Sequence, residues 1–368
     1  MSAIDFLVRR DDLRSTRFEQ APEADEIDLS PGQVLLAIDK FGFSANNITY
    51  AALGEMMNYW GFFPGPEGWG KLPVWGFADV VRSNEDEIEE GERIFGYLPL
   101  ATHLVVQPDR ITESGFVDGA PHRADLPSVY QRYGRVSRDP DHDSDREDHQ
   151  ALWQPLFMTS FGAEDFLVDN ELFGAKNVVF SSASSKTALG IAFLLSEQRP
   201  RDCKVIGLTS AHNRGFCEEL GYYDEVFTYE ELNSLPQEST VYVDLAGNEK
   251  LPQRLREHLG TNFKKFVIIG ITNWEERPAD GGLGSDDATF FFLPSWLEKR
   301  FKDWGPGEFA RKYGAARKAF FPSADSWMKI EHSSGQEGVE VVYLAMLEGK
   351  VDPRVGHMLS LDDSPSSG

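Results

Sequence analysis

At 368 residues the chain is long for one core and comfortable for two domains. Its 60 acidic against 36 basic residues leave a formal charge of −24. That balance turns non-specific attraction to phosphates into repulsion and argues against nucleic-acid and anionic-membrane partners. No window approaches the roughly 20 apolar residues of a membrane span, and the opening MSAIDFLVRRDD lacks a signal-peptide pattern, so a cytoplasmic protein is expected. Two cysteines, Cys203 and Cys217, have no metal-ligand company, which disfavours a zinc site or a disulfide framework. In so acidic a chain a site for a polyanionic cofactor must gather its own positive charge, which draws attention to Lys186 and Arg214.

Residues 1–30 alternate charges with short apolar pieces. Pro31 and Gly32 then turn the chain into a strand over 33–41. The stretch 46–83 is dense in aromatics, Gly and Pro and reads as a loop packed by its own side chains, of the kind that carries function. Strands over 77–83, 93–98 and 102–107, with the turn Glu90-Gly91-Glu92, follow at the short spacing of a small barrel. The pattern breaks over 112–150. Its last part, DPDHDSDREDHQ (139–150), reads as a solvated charged loop, since no spacing in it matches a metal cage. Helical spacing returns over 153–172.

The run NVVFSSASSKTALGIAFLL (177–195) reads as a short buried strand, a turn of small residues and a buried helix. This is the strand, phosphate loop and helix of a dinucleotide-binding unit, whose helix N-terminus faces a pyrophosphate. Where a GxGxxG pattern would put glycines the chain has Ser182, Ser185 and Ala188, while Ser184, Ser185 and Thr187 add hydroxyls and Lys186 a charge. The same turn also reads as a Ser-rich cap on an ordinary helix. Further strands over 204–209, 225–228, 240–245 and 266–270, with a helix over 213–220, predict an α/β fold with a parallel, doubly wound sheet. Its ligand-binding carboxyl ends carry Ser181 and Ser182, Thr209 and Ser210, Ala246 to Asn248, and 271–273. An NAD site calls for an acidic residue roughly 20 positions past the loop. Here Thr209, Ser210, Asn213 and Arg214 stand there instead, and hydroxyls with an Arg suit the 2′-phosphate of NADP(H). The plain alternative is an exposed Arg at a helix start. A helix pair broken at 305–307, a strand over 327–331, a helix over 336–348, a strand over 356–361 and a frayed tail complete the chain.

This arrangement resembles the medium-chain dehydrogenase/reductase superfamily over most of the chain. LPVWGFADVV (72–81) followed by EEGERIFGYLPLATHLVVQPDRI is similar to its GroES-like barrel signature. VIGLTSAHNRGFCEELGYYDEVFTYEEL and TVYVDLAGN are similar to its second to fourth Rossmann strands, and LAMLEGKVDPRVGHMLSL to its closing helix and strand. The resemblance implies a GroES-like β-barrel domain over 1–155, with an acidic insertion at about 112–150, a Rossmann domain over 156–295, and a segment 296–368 returning to the first domain. Where the zinc-containing branch has Cys and Asp the chain has Ser44 and Asn47, and for its Gly-His-Glu the chain has Gly76, Phe77 and Ala78. No metal ligand set remains, which implies a likeness to the zinc-free quinone, alkenal and enoyl-thioester reductases. The SSASSKTA loop is atypical even for those and resembles an uncharacterised branch known as a domain of unknown function.

In such reductases the cofactor supplies the hydride, and the protein supplies orientation and a proton donor. The loop SANNITY offers Asn46, Asn47 and Tyr50, with Tyr59 close by in sequence: Tyr50 is the expected donor to a developing enolate, and Asn47, at the superfamily's polar position, the expected orienting group. The same amides also serve as turn caps and the same aromatics as loop core. Tyr130 and Tyr133 are further candidates to line a pocket. Tyr229 stands where such reductases carry a Tyr beside the adenosine, and completes a cofactor set of Ser182, Ser184, Ser185, Lys186, Thr187, Thr209, Ser210, Arg214, Ala246 and Asn248. The expected function is an NADPH-dependent, zinc-independent reductase of an activated alkene or carbonyl, acting on a small molecule, with room for a homodimer. The alternative is a non-redox protein, lyase or isomerase that kept the fold with a lost or repurposed cofactor site.

Overall fold

The computed structural model describes residues 3–140, 142–198, 202–248, 250–269 and 288–362. They divide into one unit of Met1–Gln154 with Lys329–Gly368 and another of Pro155–Met328.

In the first unit β1 (Ile4–Arg9) and β2 (Asp12–Gln20) form a hairpin within the mixed-charge opening. β3 (Val34–Phe43) is buried at seven of its ten positions and leads into α1 (Ala45–Ala52). β4 (Trp69–Lys71) joins the hairpin, and β5 (Pro73–Ser83) lies antiparallel on β3. β6 (Arg93–Pro99), β7 (His103–Val106), β8 (Pro108–Thr112), β9 (Gly115–Asp118) and β10 (Arg132–Arg135) complete the barrel strands. The region 112–150 therefore contributes two paired strands, β9 and β10, between its turns.

α2 (Glu147–Asp169) starts six residues before the helical spacing predicts, inside the charged run. That run is not wholly a solvated loop. Glu147 is buried, and its carboxylate accepts from Arg93 Nε and Nη2 at 2.8 Å each, while Asp148 accepts from Lys40 Nζ at 2.9 Å. Two acids suit the first turn of a helix, and cations from the barrel strands neutralise them.

The second unit takes the rest of α2, then β11 (Asn177–Phe180), α3 (Lys186–Gln198), β12 (Lys204–Thr209), α4 (Arg214–Leu220), β13 (Glu225–Thr228), β14 (Thr240–Asp244), α5 (Lys250–Leu259), β15 (Phe263–Ile268) and β16 (Ala288–Phe290). All pair in parallel in the order β13-β12-β11-β14-β15-β16. Buried Val, Ile, Leu and Phe on successive strands explain this two-sided burial. One face packs Val179, Ile206, Tyr242 and Phe266 against Leu251, Leu255 and Leu259 of α5. α3 packs closely on α2, because a Cβ on Gly190 would come within 2.5 Å of Ser160 Oγ. The predicted sheet end at 270–273 lies outside the described residues.

α6 (Leu293–Trp304) and α7 (Pro306–Asp325) belong to the second unit: Trp296 Nε1 donates to Asp165 at 2.7 Å, and Phe157 stacks on Phe320 at 4.7 Å. The chain returns to the first unit at Lys329, later than position 296, with β17 (Lys329–Ser334), α8 (Gly335–Leu347) and β18 (Val355–Ser360). These strands extend the barrel sheet, whose order is β17-β18-β3-β5-β6-β10-β9-β8 with β7 on β3.

Candidate functional site

The strand order of the parallel sheet reverses direction beside β11, between its neighbours β12 and β14. In open α/β sheets ligands bind at the carboxyl ends around such a switch point. There Ser181 is fully buried: its hydroxyl donates to Asp244 Oδ1 at 2.6 Å and accepts from the Leu245 and Ala246 N–H groups at 2.9 and 3.0 Å. Asp244 also accepts from the Tyr242 hydroxyl at 2.9 Å. Burial raises the pKa of the Asp244 carboxyl, and these donors oppose the shift. Asp244 was not among the expected residues, although an acid closing the apolar strand TVYVD is a readable signal.

The phosphate-loop candidate turns at Ser182, whose φ of 46° lies in the left-handed region that a glycine would enter without penalty. Its N–H donates to the Tyr229 hydroxyl at 2.9 Å. Ser185 closes the turn, donating its N–H to Ser182 O at 2.7 Å and accepting from Ala188 N at 3.3 Å. Ser185 therefore caps α3, the bland reading of this turn, and the helix starts at Lys186 with Thr187 next, both half-buried. Asn213 Nδ2 donates to Ser184 Oγ at 3.0 Å, which ties the β12–α4 turn to the loop. Thr209 is buried and Ser210 half-buried at the end of β12. Beyond β14, Ala246 donates to Asp244, and Asn248 Oδ1 accepts from Lys250 N at 2.9 Å, the first residue of α5.

Arg214 sits beside this loop with its guanidinium already held. Its Nη1 donates to both oxygens of Glu231 at 3.0 and 2.8 Å, and its Nε to Glu218 at 2.8 Å. Glu231 is the acid of a capping box begun by Thr228, a motif readable as Thr-Tyr-Glu-Glu. A 2′-phosphate would thus meet Arg214 in the company of two carboxylates. The residues still fit a dinucleotide: a left-handed turn of small residues leads into the start of a thirteen-residue helix, beside Lys186 and at the end of β11.

The second set of expected residues lies in the first unit. Ser44 caps α1, and Asn47 is held at both ends, its Oδ1 accepting from Ser44 N at 2.8 Å and its Nδ2 donating to Pro73 O at 3.0 Å. Asn47 therefore ties α1 to strand β5, using one lone pair of Oδ1 and one N–H of Nδ2. Three residues on, Tyr50 is buried among Tyr59, Tyr97 and Tyr130, with ring centroids at 4.8, 5.4 and 6.2 Å. Trp75 Nε1 donates to the Tyr50 hydroxyl at 3.3 Å, and half-buried Asn46 also bonds to it. The Tyr59 and Tyr130 hydroxyls lie 3.4 Å apart, and the Tyr97 hydroxyl has no hydrogen-bond partner among the described residues. Burial pushes all four phenols above the ordinary tyrosine range, so each stays neutral and keeps its proton near neutral pH. Tyr133 lies behind the cluster, donating to Tyr97 O at 2.8 Å and accepting from Arg123, which is buried against Asp118 at 2.8 Å. Tyr97 and Trp75 were missed because they come from strands, whereas the expected residues were sought in one loop.

At the position of the zinc-binding His of the resembling branch, Phe77 is fully buried under Arg93, 5.1 Å from the ring centroid. Among the described residues no group of three His, Cys, Asp or Glu side chains could hold a metal, and no helix is long and apolar enough to cross a membrane.

With a GroES-like β domain and a six-stranded parallel sheet in Rossmann order, the fold is that of the medium-chain dehydrogenase/reductases. CurA from Vibrio vulnificus superposes with a TM-score of 0.63 at 13% identity, covering 99% of each chain. TarJ from S. aureus in complex with NADPH gives 0.54 at 9% identity, over 98% of this chain and 99% of that one. The yhdH oxidoreductase from Salmonella enterica in complex with NADP gives 0.51 at 12% identity, over 98% and 100%. Within that fold the chain belongs to the family described as protein of unknown function (DUF2855), whose model matches residues 41–352. No curated protein sequence matches it.

Proposed function

We propose that the protein is an NADPH-dependent, zinc-independent reductase of an activated alkene or carbonyl. The observation that carries the reading is the carboxyl edge of the parallel sheet, where the β11–α3, β12–α4 and β13 turns are hydrogen-bonded to one another beside the switch point. Folds alike over nearly the full length, in structures determined with NADPH or NADP, support it. Bound there, the cofactor would supply the hydride. Ser182, Ser184, Ser185, Lys186 and Thr187 would hold its pyrophosphate, and Thr209, Ser210, Arg214, Tyr229, Ala246 and Asn248 its remaining contacts. Tyr50, neutral and oriented by Trp75, holds a proton at its phenol oxygen for delivery to the oxygen of an enolate or alkoxide, with Asn46 and Tyr59 as neighbours.

The test is a thermal-shift titration of the full chain with NADPH, followed by loss of NADPH absorbance against a panel of enones, enals and quinones. A ligand that binds only the native state must raise its melting temperature. Binding with turnover, and kcat lost in Tyr50→Phe while KM holds, is the expected result. No NADPH-dependent shift would overturn the reductase reading.

A further inference from the structure

Arg214 is the cation best placed by sequence to read the 2′ position of a dinucleotide, and the structure gives it two anionic partners. Glu231 holds it through both carboxylate oxygens, and Glu218, one helical turn away on α4, holds Nε. Glu231 is itself fixed, since Thr228 N–H donates to its Oε2 at 3.0 Å. The guanidinium is thus drawn to a carboxylate that the backbone anchors at the end of β13. The group formed by Arg214, Glu218 and Glu231 carries one positive and two negative charges. A phosphate monoester brings roughly −2 near neutral pH, so it must displace Glu231 from Nη1 or share the guanidinium with it. A ribose 2′-hydroxyl has no charge and can donate to the same carboxylate.

We propose that Glu231 is a specificity-determining residue of the dinucleotide pocket, whose clamp on Arg214 weakens recognition of a 2′-phosphate relative to a 2′-hydroxyl. The inference rests on the dinucleotide reading above and adds to it a residue acting against the 2′-phosphate. Glu231→Gln removes the charge while its amide oxygen keeps the bond from Thr228 N–H, so the cap survives. Releasing Arg214 from one like-charged competitor tightens NADPH by about tenfold, equivalent to about 1.4 kcal/mol, with NADH changed less than about twofold because it has no 2′-charge to pair.

The experiment measures dissociation constants of NADPH and NADH for the full-length parent, Glu231→Gln, Glu218→Gln and Glu231→Gln with Arg214→Ala. The expected result is a raised NADPH to NADH preference in Glu231→Gln, a smaller rise in Glu218→Gln, and loss of the gain when Arg214 is also removed. An unchanged NADPH constant, equal changes for both cofactors, or a gain that survives without Arg214 overturns the inference while leaving the dinucleotide reading standing. Absence of binding by either cofactor to the parent and all variants overturns both. Should Glu231→Gln fail to fold, Glu218→Gln, altered only on an exposed helix face, decides the sign alone.

Discussion

Tyr229 and Glu164 show how single groups decide local free energy. The Tyr229 hydroxyl is the acceptor for the Ser182 N–H at a backbone position already in the left-handed region. Tyr229→Phe leaves that donor without its partner and should lower stability by about 1 kcal/mol, read as a fall in the urea midpoint at constant slope. Glu164 on α2 is buried, and its Oε1 has no hydrogen-bond partner among the described residues. Burial pushes its carboxyl up to about 7, Asp165 adds to the rise, and Lys312 opposes it. A raised acid binds more protons folded than unfolded, so stability falls as pH climbs from the ordinary Glu range through 7. Glu164→Gln should therefore be more stable than the parent at pH 8 by about 2 kcal/mol and match it near pH 4. A parent whose melting temperature is flat across that window would contradict this.

At the scale of elements, α2 joins sequence chemistry to packing most directly. Pro155 within the helix has no N–H for the Ala151 carbonyl, and Gly42 brings β3 up against that carbonyl, where a Cβ would come within 2.7 Å. The first turn of the helix is fastened by Arg93, which also donates to Asp39 at 2.6 Å and Asp79 at 3.0 Å. The pairing with Arg93 and Lys40 holds the Glu147 carboxyl below the ordinary Glu range against the opposing effect of burial. A depressed acid stabilises the fold above its unfolded pKa and ceases to do so as pH falls through the folded one. Glu147→Gln should lower stability by about 2 kcal/mol at pH 7, with the difference from the parent shrinking as pH falls from the ordinary Glu range through the lower folded value. A deficit that persists unchanged in acid would assign the loss to packing instead.

Across the whole molecule the charge of −24 acts as self-repulsion in the folded state. Raising ionic strength from about 0.01 M to about 0.15 M shortens the screening length from about 30 Å to about 8 Å. The melting temperature should rise over that range, in contrast to a protein whose surface ion pairs dominate. A fall would show that surface ion pairs such as Arg17 with Glu19 and Lys204 with Glu225 outweigh the net charge.

Run length, turn signals and β-branched content determined the parallel sheet. A run such as KVIGLT is too short for a buried helix and rich in β-branched residues, and β12 and β13 fall on the predicted residues. These signals could not find β2, where exposed charged residues alternate on a strand mostly open to water, nor its short buried partner β1, nor place Glu147 inside the barrel's ion-pair network. The type of chemistry at the loop was also readable, since Ser, Thr, Lys and Arg at the strand ends suit an anion. What each of them bonds to was not. Asn47 facing Pro73, Tyr229 reaching Ser182 and Glu231 holding Arg214 join residues 26, 47 and 17 positions apart. Such pairings are set by strand order and turn geometry, because a side chain's partner depends on which chain segments the packed core brings within about 3 Å, and local sequence carries no record of that distance.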